Sequence, residues 1–598
     1  MAKRRRKAAP SAPPEARSRD DRRTRRLLAL AIFAAGLVSR LLFWLATPDR
    51  DAAWTAYFQG DAPLWLDYAR AIELGRPFEL GLPIHPPGAA WLVALLWNGV
   101  PSGIPLLRFG WVVLGALVPL LVFLAAARSF PLRVAAVTGV GSAASTGLLV
   151  LSTSVNNETP YLALVAGSLW FFEDLEDRPP IGRLILWSAA NAVACLLRVE
   201  HLLFYLLALA FFAVRWARAD VRRALRLSAA SLVFFALPLV PWHVTAWSAI
   251  ARFNEHPRPL TPVEERAVAG VEETTRGIAW TPDAARMRDE MPGFARRTGA
   301  AFVLATAAHR GSRTIGVPEF RVLEQAFGYV PRRLSRYPFV SSYGPLNFAL
   351  ANNAAADGGF DRSLLERPPP LEGGAASYPR SLVQGLPPAE LSFVYPPHLF
   401  LVNEGYSVGW RWIRDHPAEF ARLAGRKLAI FWEGAASGLT GYNVPMGLSG
   451  TRRAVDLVTA DGGVATAWRL LVLAVALAGL VAGRGQAAAV PWALFLASKV
   501  VVTVLFFGYA RHGATVVPVL ALLAGLAAER WSFRRAPLLP DRTIVRGTAA
   551  VLLLATGVEA ARFLSKPDVR VDGAAVGAAA PSSADDHRSR RIEVGSGR

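Results

Sequence analysis

Apolar stretches of about 20 residues recur along this chain, and they limit its fold more than any other feature. A segment of that length matches the hydrocarbon thickness of a bilayer, and only a helix satisfies its own backbone there. The first runs from Leu27 to Ala46, directly after an arm, residues 1–26, with 11 Lys/Arg against 3 Asp/Glu. With 53% hydrophobic residues, 18 Trp and 31 Phe in 598, the chain is far too apolar for an ordinary soluble enzyme of its size. The net charge of +21 does not point to nucleic acid, because the basic arm stands where cytoplasmic retention and attraction to anionic lipid require it. The single cysteine, Cys195, excludes an internal disulfide and lies in an apolar run, as a core residue does.

Further spans are expected near 106–127, 134–152, 159–173, 184–197, 202–214, 228–250, 468–483, 487–508, 513–528 and 544–564. Alternating their direction puts Arg128 to Arg133, Arg178 to Arg183 and the cluster Arg215, Arg218, Arg222, Arg223 and Arg226 on the side of the basic arm, as the positive-inside bias demands. The fold expected is therefore an all-α polytopic membrane protein of about 11 transmembrane helices, with a range of 10–13. Its parts are a cytoplasmic arm (1–26), an N-terminal membrane module (27–250) whose first outer loop covers 47–88, an outer insert (251–465), C-terminal membrane helices (466–564) and a polar tail (565–598) expected to be disordered. The insert is rich in Pro and Gly, has no membrane-length apolar run, and carries short helices such as that within Trp410 to Trp432. Ala89 to Val100 is too short to span and reads as a re-entrant or interfacial helix. No internal repeat is visible.

The first outer loop holds more chemistry than a connector needs. Asp61 followed by Pro63 suits a helix start, and the Gly75-Arg76-Pro77 stretch suits its stop. Asp61, Trp65, Tyr68 and Ala69 share one helical face while Asp67 points away, so the helix is amphipathic and can lie on the bilayer. Taken locally, Asp61 is either an N-cap or a charged group of a site. On the same outer side fall His85, Asn156-Asn157-Glu158, Arg198-Val199-Glu200-His201 and Tyr509-Ala510-Arg511-His512. Charges at that depth are costly unless they pair or bind something, so two acids and several bases on one face propose an anion site. Bland roles stay open beside it: headgroup anchors for Arg198 and Arg511, interfacial residues for His201 and His512, a dipole-favoured helix start for Glu158. Arg40 is read as snorkelling to the surface. Lys499, in mid-span, either pairs within the bundle or marks a polar cavity.

These residues, in this order, resemble a GT-C glycosyltransferase, the integral-membrane superfamily that includes protein O-mannosyltransferases, lipid A aminoarabinose transferases and bacterial polyprenyl-phosphate-sugar-dependent transferases. Asp61 with Trp65 and Ala69 is similar to the family's acid, aromatic and small residue in the first outer loop. His85-Pro86-Pro87, Glu158 and Leu197-Arg198-Val199-Glu200 resemble later family elements. So do the loop from Gly344 to Asn353 with Asp357-Gly358-Gly359, and the stretch Tyr509 to Pro518. Two departures stand out: Ala62 where many relatives carry a second acid, and His85 where some carry Lys.

The resemblance implies transfer of a hexosyl or pentosyl unit from a polyprenyl-phosphate donor to a glycan, lipid or protein acceptor on the outer face of the plasma membrane, with inversion. It assigns Asp61 as general base and puts Glu158 with it in the catalytic set, to orient Arg511 or a histidine or to help hold a divalent cation. Arg511 is the first choice for the donor phosphate, followed by Arg198, His85 and His512, while Trp65, Tyr68, Glu200 and His201 support. If a divalent cation such as Mg or Mn is used, Asp61 and Glu158 would hold it, although Ala62 weakens a paired-carboxylate site. The rivals are a lipid-linked oligosaccharide ligase or polymerase, and a transporter or flippase. Partners expected besides the donor and acceptor are membrane lipids, with no nucleic acid.

Overall fold

In the computed structural model the described residues are 14–46, 52–54, 60–75, 82–97, 99–176, 179–255, 262–291, 293–320, 338–366, 391, 396–437 and 463–530. The expected span at 544–564, the tail, and the start of the basic arm lie outside them. The membrane module begins with α1 (Pro14–Ala46), followed by α2 (Ala62–Glu73) and α3 (Gly88–Leu96) in the first outer loop. Then come α4 (Ile104–Ser129), α5 (Leu132–Ala144), α6 (Thr146–Ser152), α7 (Glu158–Leu175), α8 (Ile181–Leu197), α9 (His201–Ala217), α10 (Val221–Ala236) and α11 (Val240–Glu255). The insert contributes α12 (Pro262–Thr274), α13 (Pro282–Asp289), α14 (Gly293–His309), α15 (Tyr343–Ala351), α16 (Ser363–Glu366), α17 (Pro396–Asp415) and α18 (Pro417–Ser437). The chain returns with α19 (Gly463–Gly483), α20 (Val490–Leu505), the short α21 (Ala510–Ala514) and α22 (Val517–Ala528). One minimal parallel pair, β1 (Ala279–Trp280) with β2 (Thr314–Ile315), holds the only strands among the described residues.

Among the described residues, four helices are long and apolar enough to cross a membrane by themselves, or five if α5 and α6 count as one bent span. α8, α9, the later part of α19 and α22 are shorter apolar helices. The single span expected over 134–152 is bent by 58° between α5 and α6. Ser145 is extended there, and its hydroxyl accepts the Leu148 N–H that opens α6. The bend aims Ser152 and Thr153 inward to two buried arginines. Arg40 Nε donates to Ser152 Oγ at 2.9 Å and Nη1 to Gly36 O at 3.1 Å. Arg40 is fully buried, so the snorkelling expectation is corrected: the guanidinium turns into the bundle. Arg108 Nε donates to Thr153 O at 3.0 Å and Nη1 to Ala52 O at 3.2 Å, tying the start of the first outer loop to the approach to α7.

The two ends of the bundle differ in charge chemistry. At the C-terminal end of α7, Arg128 forks onto Asp174 at 2.9 and 2.6 Å, Arg183 pairs with the same carboxylate, and Arg215 reaches Glu176 at 3.1 Å. These arginines belong to the loops placed on the side of the basic arm. The opposite end gathers the N-termini of α7 and α9 and the C-termini of α8 and α20, and there the insert settles. Its apolar core takes in Leu82 and Ile84 from the first outer loop and Phe507 from the segment before α21. Ser342 N–H donates to Pro83 O at 2.7 Å, a further stitch between the two.

α18 lies flush on the α21 segment because glycines remove the bulk between them. A Cβ at Gly434 would overlap Ala510 O, and one at Gly513 would overlap Phe431 O. Gly434→Ala should therefore force the two helices apart and cost about 1–3 kcal/mol, as overpacking does. Gly425→Ala on the same helix, with nothing within 4 Å of the new Cβ, should be neutral. Thermal unfolding of the two variants in detergent checks the contrast.

Candidate active site

At the insert-covered end, residues distant in sequence meet in one charged cluster. Asp61 is the N-cap residue of α2, yet its carboxylate makes no capping hydrogen bond. It accepts from Arg511 Nη1 at 2.6 Å instead, so the N-cap role is set aside by its own geometry. The rest of α2 follows the expected amphipathic pattern, with Trp65 and Ala69 buried, Tyr68 half-buried and Asp67 exposed. Arg511 projects from α21, and its Nε lies 3.5 Å from Glu158 Oε1.

Glu158 is the first residue of α7 and is fully buried. Its place is set by Asn156, whose Oδ1 accepts the Thr159 N–H at 2.9 Å while its Nδ2 donates to Leu151 O and Ser154 O. Trp111 Nε1 holds the same turn through Asn156 O at 3.0 Å. Arg198, in the break between α8 and α9, donates Nη1 to Glu158 Oε1 at 2.5 Å and Nε to Glu200 Oε1 at 2.5 Å. Its Nη2 meets His512 Nε2. Lys499, the unexplained mid-span cation, points to Glu200 Oε1 at 3.4 Å and lies over the Tyr161 ring at 4.5 Å. The anchor role for the two arginines fails on burial: Arg198 is 6% exposed and the Arg511 side chain 13%.

The cluster thus balances three carboxylates, Asp61, Glu158 and Glu200, against three permanent or near-permanent cations, Arg198, Lys499 and Arg511. Buried charges persist only when paired in this way. Burial would raise the Asp61 carboxyl, but Arg511 beside it, with His85 and Arg198, holds it below the usual carboxylate range. Burial likewise opposes ionisation of Glu200, and Arg198, Lys499 and His512 outweigh it, leaving its pKa well below the usual range. Burial and the adjacent Arg198 push His512 well below the usual imidazole range, so it meets Arg198 as a neutral acceptor.

The other sequence-derived residues stand around this centre. His85 is half-buried, its ring 4.9 Å from Tyr343 and edge-on to Trp65 at 6.1 Å. His201 lies one layer away, between Tyr161 OH at 3.1 Å and Asn191 Oδ1 at 2.8 Å. Sequence reasoning set Asn156 beside Glu158 without a role, and did not give Lys499, Arg108 or Tyr161 a place in the site. A lysine in the middle of an apolar run was the visible signal for Lys499; Arg108 and Tyr161 carry none. Three buried polar atoms here have no hydrogen-bond partner among the described residues: Trp65 Nε1, Glu158 Oε2 and Arg511 Nε. Two of the three belong to groups that pair through their other atoms, so the cluster keeps spare hydrogen-bonding capacity. As cation ligands Asp61 and Glu158 fit poorly, since both already face Arg511, and no group of three or more His, Cys, Asp or Glu among the described residues could hold a metal ion.

Residues 84–243 match the family model described as dolichyl-phosphate-mannose-protein mannosyltransferase, a stretch that includes His85, Glu158, Arg198, Glu200 and His201. The match supports a GT-C superfamily membrane glycosyltransferase. No curated protein matches the chain. Among solved structures, the crystal structure of ArnT from Cupriavidus metallidurans bound to undecaprenyl phosphate aligns at 16% identity and TM-score 0.31, covering 89% of this chain and 88% of that one. The apo state of that protein aligns at 15% identity and TM-score 0.32 with the same coverage.

Two outcomes are expected of the cluster. Arg198→Met leaves Glu158 and Glu200 buried with a cation removed, and should cost about 3–5 kcal/mol of stability. Asp61 ties stability to pH with a definite sign: a depressed folded pKa contributes fully above the unfolded value, about 3.9, and the contribution is lost as pH falls through the lower folded value. Melting in detergent from pH 7 downward should show the wild type losing its advantage over Asp61→Asn below about pH 4.

Proposed function

We propose that this GT-C-type chain transfers a sugar from a polyprenyl-phosphate donor to an acceptor on the outer face of the plasma membrane, with Asp61 as general base. The observation that carries the reading is the convergence of Asp61, Glu158, Arg198, Glu200 and Arg511 on one charge-balanced cluster, with Glu158 and Arg198 buried and Asp61 half-buried, at the insert-covered end of apolar helices. The basic arm puts the N-terminus in the cytoplasm and this end outside.

The chemistry asks for two things. Asp61 takes the proton of the acceptor O–H or N–H as that atom bonds to the anomeric carbon. The bond from that carbon to the phosphate oxygen breaks, and the electron pair leaves with the phosphate, which needs positive charge. In the resting arrangement base and cation hold each other, Asp61 with Arg511 at 2.6 Å. A donor phosphate offers the guanidinium two oxygens in a fork, and in taking them Arg511 releases Asp61 for the acceptor. Arg198 stays in place between Glu158 and Glu200 and is the second positive group the departing phosphate meets. Approach of the acceptor from the side opposite the phosphate gives inversion. The charge that a divalent cation would bring is supplied by these guanidinium groups, so the reading is drawn without a metal. Glu158, facing both arginines, orients them.

Membranes carrying the wild type, assayed for release of labelled sugar from a panel of polyprenyl-phosphate donors, should show transfer. Asp61→Asn, at equal abundance, should lose about 10²- to 10⁴-fold. Arg511→Lys, which keeps charge but not the fork, should retain more activity than Arg511→Gln. Wild-type membranes inactive with every donor would count against the assignment, and a fully active Asp61→Asn would move the base elsewhere.

A further inference from the structure

Outside the charged cluster, in the insert, one lysine is buried without an acid among the described residues. Lys427 of α18 is fully buried, and no carboxylate lies within ion-pair distance of its Nζ among the described residues. Its Nζ donates to Asn352 Oδ1 at 2.9 Å and Val504 O at 3.1 Å. Burial with only neutral partners pulls the amine down to about 7. On transfer grounds an apolar side chain of the same length would be cheaper at this position, so what the lysine holds is its relevant property.

What it holds is the end of α20. The last carbonyls of a helix have no partner within it. Val504 O takes the Lys427 amine, and Leu505 O takes Asn352 Nδ2 at 2.8 Å. A cation at this end also complements the helix dipole. From there the chain runs through Phe506 to Tyr509 into Arg511. Gly508 N–H donates to Gly358 O at 2.8 Å, and a Cβ at Gly508 would overlap the backbone of Lys427. Lys427, Phe431 and Gly434 stand at spacings of four and seven on one face of α18, and that face meets Gly508, Gly513 and Ala510 in turn. The helix therefore grips the α20–α21 connection along its length, with the amine at the start of the grip and Arg511 inside it.

We propose that Lys427 is a positioning residue for Arg511: its amine seals the end of α20, beside the Gly508 segment that the backbone of α18 holds, and so lets the insert set where the guanidinium points. The proposal deepens the phosphate-binding role given above to Arg511 and rests on it.

The test is a double-mutant cycle on the full chain purified in detergent, with a short-chain polyprenyl phosphate as the binding probe. Lys427→Met should weaken the probe about tenfold when Arg511 is present and less than about twofold in an Arg511→Gln background, because the effect passes through the guanidinium. Equal weakening in both backgrounds, or none in either, overturns the proposal. Amide exchange gives a readout that needs no ligand. In Lys427→Met, and in Asn352→Ala as a second variant, exchange should quicken over residues 506–513 and stay unchanged in α4 and α7; quickening along the whole chain would mean lost stability alone and overturns the proposal. A wild type that does not bind the probe removes the phosphate role of Arg511, and the positioning proposal with it. Normal wild-type binding with an unaffected Lys427→Met removes the proposal and leaves the function standing.

Discussion

A guanidinium buried between two carboxylates leaves a chain few ways to arrange itself. Arg198 must find Glu158 and Glu200 at 2.5 Å each, and those acids tolerate burial only because Arg511 and Lys499 close the circle. To satisfy that one network the start of α7, the break between α8 and α9, the last turns of α20 and the short α21 must all reach the same depth. Desolvation makes the arrangement strict: in a low-dielectric setting a missing partner costs more than a present one contributes. The network thus acts as a registration point for the bundle as well as a site for chemistry.

Much of this was legible in the chain because it follows from one-dimensional signals. Apolar runs give helix positions, and Asp61 with Pro63 gives the start of α2. The alternation of direction gives the side on which Glu158, Arg198 and Arg511 emerge. What was not legible depends on what a side chain meets across the fold. The bend at Ser145 comes from a single hydroxyl capping α6, within a run that is apolar on both sides. Arg40, near the end of α1, has a place consistent with snorkelling and turns inward only because Ser152 is there. Asp61 has the same local sequence whether it caps α2 or meets Arg511, 450 positions away. Lys427 sits in an amphipathic helix among other basic residues, and nothing in that pattern sets it apart from Arg426 or Arg422.

The insert and the membrane module are bound into one site rather than stacked. Strand-like stitching from Ser342 to Pro83 and a shared apolar core with Leu82, Ile84 and Phe507 bring the outer layer against the first loop. His85 touches Tyr343 of the insert, so the first loop and the outer layer meet beside Asp61 as well. Loops that carry chemistry are usually held by a rigid scaffold. Here part of the scaffold belongs to the insert.

Arg40 carries a consequence for how the protein is made. α1 precedes α6 in the chain and carries a guanidinium in its apolar stretch. A charge at the centre of an inserting helix costs about 2.5–3.5 kcal/mol on translocon scales, and less toward the end, where Arg40 stands. The hydroxyl that accepts from Arg40 belongs to Ser152, 112 residues later in synthesis. The polar group of α1 therefore finds its side-chain partner only once α6 is in place. The final packing of α1 is thereby tied to that of α6, so the two settle together.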